Sequence, residues 1–356
     1  MKRIMQCAAA MAAVCCFSTI AAGADEAERL HKLFDDAWQT AMREDPLWAT
    51  ATGDYRFNAE LPDASLAAHV RRVAQDREFL LRLEQIDRDR LTAVDRTHYD
   101  VFRRQLRDGI EEAQFETYLM PITNRWGFHV ALAELPKDLS FRTRKDFADY
   151  IARLEQAPRY TDQHIELMRL GIDKGLTLPA ITMEGVFDSI VAHVVDDPTK
   201  SLFYEPFLSM PVAWPADVRE ALAERARQAI ETSIVPAYRK FLTFMREEYV
   251  PACRGSIGAS ALPQGRDWYR YCVRHYTSLD LTPLEVHETG KAEVARIATE
   301  MDAVVKKAKF SGDRQAFVEH LRTDPRYYAT SKEELLKEVA LTLKRMDGEL
   351  PRLFGR

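Results

Sequence analysis

The side chains best suited to chemistry in this chain are nine histidines and five cysteines, and their spacing decides what that chemistry could be. A zinc-protease helix needs two histidines four residues apart, so that both face one metal, with a glutamate beside them as general base. His31, His69, His98, His129, His164, His193, His275, His287 and His320 contain no such pair. His287-Glu288 begins like one but continues Thr289-Gly290-Lys291. His193 with Asp196 or Asp197, and Asp95 with His98, supply two ligands at most and read as helix-surface pairs or caps. Ser256 sits in Gly255-Ser256-Ile257-Gly258, which has the wrong spacing for a nucleophile elbow. No phosphate-binding glycine loop is present. No catalytic residue and no metal ligand is therefore assigned.

Three side chains remain as candidates for a substrate cleft. His287 could donate to a substrate carbonyl or carboxylate. Tyr276 belongs to a tyrosine-rich stretch with Tyr269 and Tyr271, and Tyr327-Tyr328 follows later; each offers a flat face and a hydroxyl. Arg125 stands beside Trp126-Gly127. Each has a plain structural alternative: a first-turn histidine near a helix cap, core or rim tyrosines, and a packed loop anchor.

The elements that must position these residues are helices. Apolar residues recur at helical spacing over 26–44, 66–86, 143–155 and 182–195, and from Pro215 to about Tyr249 with Pro236 as a kink or break. The 66–86 stripe runs through Val70, Val73, Leu80 and Leu83. Thr92-Ala93-Val94-Asp95, Thr143-Arg144-Lys145-Asp146 and Thr282-Pro283-Leu284-Glu285 are helix starts, with Ser331 opening a last helix that Pro351 ends. The first of these runs to about Tyr118. Pro158 suits the first turn of a helix ending near Gly171 or Gly175, and 267–278 and 314–323 read as shorter helices. Residues 46–62, 121–140, 196–215 and 254–265 read as loops or connectors. The expectation is an all-α, elongated multi-helix array of long amphipathic helices with no substantial sheet and no clean domain boundary. Only 14 glycines in 356 residues fits that reading, about half of ordinary usage.

Residues 1–24 have the three parts of a secretory signal: basic Lys2-Arg3, a largely apolar Met5–Ile20, and Ala22-Gly23-Ala24 before the acidic Asp25-Glu26. The protein is expected to be exported, to the periplasm or beyond, with residues 25–356 as its helical domain. Lipidation at Cys15 or Cys16 fits the preceding Ala12-Ala13-Val14 poorly. No later segment is apolar enough to span a membrane. Cys253 and Cys272 stay behind as an even pair in an oxidising compartment, which predicts a disulfide. The leader takes Lys2 and Arg3 with it and no acid, so net charge falls from −5 to −7. That balance excludes a counterion-release nucleic-acid binder.

Taken in order, the residues resemble the bacterial domain-of-unknown-function 885 family. The resemblance is carried by Leu262-Pro263-Gln264-Gly265, Trp268-Tyr269, Tyr276-Thr277, Leu281-Thr282-Pro283, Glu285-Val286-His287-Glu288-Thr289-Gly290 and Glu293-Val294-Ala295-Arg296. Asp149-Tyr150, Arg153-Leu154, Pro158-Arg159-Tyr160, Leu178-Pro179, Val235-Pro236-Ala237-Tyr238 and Leu350-Pro351-Arg352-Leu353-Phe354-Gly355 add to it. It implies an exported or lipid-anchored helical protein similar to zinc metallopeptidases, hence peptide hydrolysis. It also implies that the zinc ligands and general base lie downstream of the Leu353-Phe354-Gly355-Arg356 segment. The chain is thus expected to be catalytically incomplete alone, with no cofactor of its own and zinc only if that further part is supplied. Helical faces meant for that part would stand exposed. The expected partners are peptides or a separately encoded C-terminal half. The competing expectation is a non-enzymatic binding module of the cell envelope.

Overall fold

The computed structural model describes residues 25–123 and 125–355. The leader, with Cys7, Cys15 and Cys16, lies outside the described residues. The fold is all-α: among the described residues the β pairing is confined to two isolated bridges, Ile122 with Gly127 and Pro179 with Arg254. No described helix is long and apolar enough to cross a membrane. The chain divides into two compact units, Met1–Ser278 and Leu279–Arg356. Sequence periodicity marks no such boundary, because the break is made by backbone geometry: Ser278 closes a helix in the left-handed region, at φ 61°.

In the first unit, α1 (25–44), α3 (Leu66–Glu84) and α4 (Ala93–Glu112) form one apolar cluster through Leu30, Leu33, Phe79, Leu83, Tyr99 and Leu106. Ser65 and Thr92 cap α3 and α4 by accepting the amides of Ala68 and Asp95. Val70, expected on the buried stripe of α3, is 62% exposed; Ala68 and Phe79 take the inner face instead. After α4 the chain tightens into two 3-10 turns, Ala113–Phe115 and Thr117–Leu119, rather than continuing as α-helix to Tyr118.

The larger cluster is built on α5 (Phe128–Asp138), α6 (Arg144–Glu155), α7 (Ala157–Asp173), α8 (Val186–Val191), α9 (Ala216–Ala229) and α10 (Val235–Phe244). Both bonds of the Thr143–Asp146 capping box form, and Pro158 occupies the first turn of α7. The segment expected to be irregular, 121–140, contains α5. Its period is hidden because Phe128, His129, Leu132, Ala133 and Leu135 are all buried, on more than one face. Residues 46–62 are likewise not a plain loop. Asp45 accepts the amides of Leu47 and Trp48 and starts α2 (Pro46–Ala51), and a 3-10 turn follows at Tyr55–Phe57. The buried Arg153 guanidinium holds this segment, donating to the carbonyls of Pro46, Phe57 and Glu60 and to Thr50 Oγ1. The expected 182–195 helix shortens to α8 behind a 3-10 turn at Ala180–Met183.

Pro236 neither kinks nor breaks its helix. A π turn at Ile230–Ile234 leads into α10, and a second at Met245–Tyr249 leads into α11 (Val250–Ala252). Each π turn ends two residues before a proline, in Val235-Pro236-Ala237 and Val250-Pro251-Ala252. The wider turn accommodates a ring that has no amide and would crowd the carbonyl four residues back. The first unit closes with α12 (Gly265–Thr277).

The second unit comprises α13 (Pro283–Lys307), α14 (Arg314–Thr323) and α15 (Lys332–Phe354). The Thr282–Glu285 capping box forms with Pro283 in the first turn, and Ser331 accepts the Glu334 amide. Pro351 does not end α15; it lies in the last turn, and the helix closes on Gly355 at φ 66°. Leu336, Val339, Leu343, Met346, Leu350 and Leu353 alternate three and four residues apart, a single apolar seam along α15. All six are between 41% and 73% exposed. On α13, Val294, Ile297, Met301 and Val304 form a similar exposed stripe, and Val305 is the buried residue.

Candidate functional site

The first unit contains a cleft of about 570 Å³ where α1, α3 and α4 meet α7. Its size is that of a small-ligand or side-chain pocket. The α3 wall is written in the sequence at spacings of three, four and three: His69, Arg72, Asp76 and Phe79 share one face and all line the cleft. Trp48 of α2, Phe102 of α4 and Tyr160 of α7 add aromatic surface, and Glu44 and Asp63 add carboxylates.

Most charges here are already matched. Glu44 accepts from Arg71 at 2.9 Å and from Arg72 at 3.1 Å. Partial burial pushes its carboxyl up, but the Arg71 and then the Arg72 guanidinium outweigh this and hold it below the ordinary carboxylate range. Arg72 also donates to the Asp63 carbonyl. Asp63 accepts from Gln163 Nε2 at 2.8 Å and from the Ser65 amide. Asp45 is spent on the start of α2.

Asp76 is different. It is half-buried and makes no hydrogen bond or ion pair with any described residue. Burial alone drives its carboxyl above the ordinary range, with no cation to offset it. Gly109 of α4 backs it closely: a Cβ there would lie 3.7 Å from Asp76 Oδ2. An uncompensated, partly buried carboxylate in a cleft is a mark of function rather than of stability.

Two histidines complete the walls, both neutral at pH 7. His69 stacks on Tyr118 at 4.4 Å, and burial, then the Arg72 charge, lowers its pKa. His164 Nδ1 lies 2.8 Å from the Tyr160 carbonyl. A carbonyl only accepts, so Nδ1 carries the proton and Nε2 keeps its lone pair. Burial drives His164 down to about 4, and its ring stacks on Phe128 at 4.1 Å.

Behind this wall, His129 and His193 are buried near one another. Ser189 gives its hydroxyl proton to the Val186 carbonyl, so His129 Nε2–H donates to Ser189 Oγ. His129 Nδ1 is left buried without a partner, as is His193 Nδ1. Burial, then the neighbouring His193 and His164, lowers His129 to about 4. Gly127 is required beside it, since a Cβ there would lie 3.0 Å from His129 Nδ1 and 2.8 Å from Ile122 Cγ2. These histidines do not fit zinc. A zinc site needs at least three protein ligands, His129 has already committed one nitrogen, and no group of three His, Cys, Asp or Glu assembles among the described residues.

The three cleft candidates from the sequence do not line this site. Arg125 is exposed in a tight loop in which Thr123 Oγ1 accepts the amides of Arg125 and Trp126. Tyr276 is 82% exposed at the end of α12, against the His275 ring. His287 is exposed on α13, in the second unit. The expected Cys253–Cys272 disulfide is not formed; both are free thiols. Cys253 packs on the large core after α11, where burial pushes its thiol up to about 11. Cys272 sits on α12 with the Glu112 carboxylate nearby. The residues that do build the cleft, His69, Asp76 and His164, carry no short motif. Their signal was the charged face of α3.

No curated protein matches the chain. Among solved structures it resembles the crystal structure of the "putative lipoprotein from Colwellia psychrerythraea", with a TM-score of 0.83 at 19% identity. The match covers 93% of this chain and 60% of that one, so the chain spans three-fifths of its relative's length. At that identity the likeness establishes the fold. The family is settled by residues 46–356, nearly all of the described chain, which match the family described as bacterial protein of unknown function (DUF885), and the chain belongs to it.

Proposed function

We propose that this chain is the peptide-holding helical part of an exported metallopeptidase-like protein, and that it does not complete hydrolysis by itself. The observation that supports the reading is the cleft between α3 and α7, with its aromatic walls and its unmatched Asp76. A pocket of this size with a few polar groups on apolar walls suits one side chain of a bound peptide. The leader pattern of residues 1–24 supports export, and the Colwellia protein's description as a lipoprotein agrees with it. Zinc, implied by the family resemblance, would have to be held by residues outside those described. The test is direct. The chain beginning at Asp25 should bind short peptides saturably and leave them intact in the presence of stoichiometric zinc. One tightly bound zinc per chain together with peptide cleavage would overturn the proposal.

A second reading, a binding module of the cell envelope, is favoured by the exposed seam of α15. Six apolar residues in heptad register suit a helical partner, for which a separately encoded C-terminal half is one source. Light scattering of the chain with and without Leu343→Lys and Met346→Lys checks this. Association that the lysines abolish supports it; a monomer that captures no helical partner counts against it.

A further inference from the structure

The cleft's charges point to the chemistry of what it holds. Every cation around it is spent: Arg71 and Arg72 on Glu44, and Arg72 again on the Asp63 carbonyl. His69 and His164 are neutral at pH 7. Glu44, Asp45 and Asp63 have their donors. Asp76 on α3 has none, so the site carries one negative charge that nothing in the chain neutralises. Around it stand the faces of Phe79, Phe102, Tyr160 and Trp48. A half-buried carboxylate beside aromatic rings recovers its lost solvation best from an organic cation, through a charge-assisted hydrogen bond and ring–cation contact. An anionic ligand would meet four carboxylates against one guanidinium.

We propose that the cleft is a cation subsite, in which Asp76 pairs with the guanidinium or ammonium end of a basic side chain. That the side chain belongs to a peptide rests on the function proposed above; the cation preference does not. The about 570 Å³ of space accommodates an arginine or lysine side chain with room for its flanking backbone.

The experiment is calorimetry on the chain beginning at Asp25, at pH 7.5, with four probes. They are N-acetylarginine amide, its citrulline counterpart, and the pentapeptides Ala-Ala-Arg-Ala-Ala and Ala-Ala-citrulline-Ala-Ala. Citrulline keeps the shape of arginine and removes the charge. Arginine probes should bind at least about tenfold tighter than citrulline probes. Asp76→Asn should erase the difference while melting no lower than the parent, because it removes an uncompensated charge. Equal binding of arginine and citrulline, or a preference that survives Asp76→Asn, overturns the subsite. If both pentapeptides bind alike, the subsite falls and the peptide reading stands. If the arginine amide shows an Asp76-dependent preference and the pentapeptides do not bind, the peptide reading falls and the subsite stands. No binding of any probe at millimolar concentration overturns both.

Discussion

The two units of this protein use the same local grammar to opposite ends. In the first, capped amphipathic helices close on one another, and Phe147, Ile151, Leu154, Met168, Ile230 and Ile234 are excluded from water. In the second, equally well capped helices carry equally apolar seams, yet α15 buries none of its 23 residues. Caps and periodicity make a helix; they do not make a core. What separates the units is whether another surface removes the stripe from water, which is where most helix stability in proteins arises.

That contrast can be broken most severely at Arg153. Its side chain is fully buried and ties α6 to the 46–60 segment through four hydrogen bonds. Arg153→Ala leaves three carbonyls and a hydroxyl unmatched and should cost about 3–5 kcal/mol in denaturant melts followed on the first unit. Leu343→Ala on α15 should change stability by under about 0.5 kcal/mol. A comparable loss at both positions would dissolve the distinction.

Acid should separate the units next most strongly. His129 and His164 have pKa values near 4 in the fold against an ordinary 6.5. Between those values the unfolded chain binds protons that the folded one refuses, so stability is fully present above pH 6.5 and falls as pH drops toward 4. Each histidine contributes on the order of 3 kcal/mol over that window. Hydrogen exchange at pH 7.5 and pH 5 should show α5 and α7 losing protection while α13 and α15, which bury no histidine, hold theirs.

The smallest contrast lies in the caps. Thr143→Ala and Thr282→Ala each remove a capping box, at about 1 kcal/mol. In α6 the packed core should hold the first turn, and exchange there should barely change. In α13 the same loss should appear as fraying at 283–288. Equal fraying would mean that burial does less for α6 than its contacts imply.

Nearly every helix start was legible, because Thr143, Thr282, Ser331 and Pro158 act on amides within a few residues. What escaped was long-range. α5 was missed because burial on several faces erases its period, and α2 because Arg153, about a hundred residues away, fixes the segment that contains it. The boundary at Ser278 rests on one left-handed residue. The cleft draws on residues from 37 to 164 that no local motif connects, and only its α3 wall has a readable spacing. Arg125, Tyr276 and His287 were chosen by residue type, and type does not determine convergence.

The paired π turns bear on how this chain tolerates insertion and deletion. A π turn holds one residue more than the α-helix around it, and each residue turns a helix by about 100°. Deleting one residue within Ile230–Ile234 would let the helix run as plain α and would swing everything after it by that angle. Tyr238, which donates to the His129 carbonyl from α10, would then face away from α5, and the Pro236 ring would meet the carbonyl that the wider turn now spares. In the middle of this helix, a single lost codon is a rotation of the core.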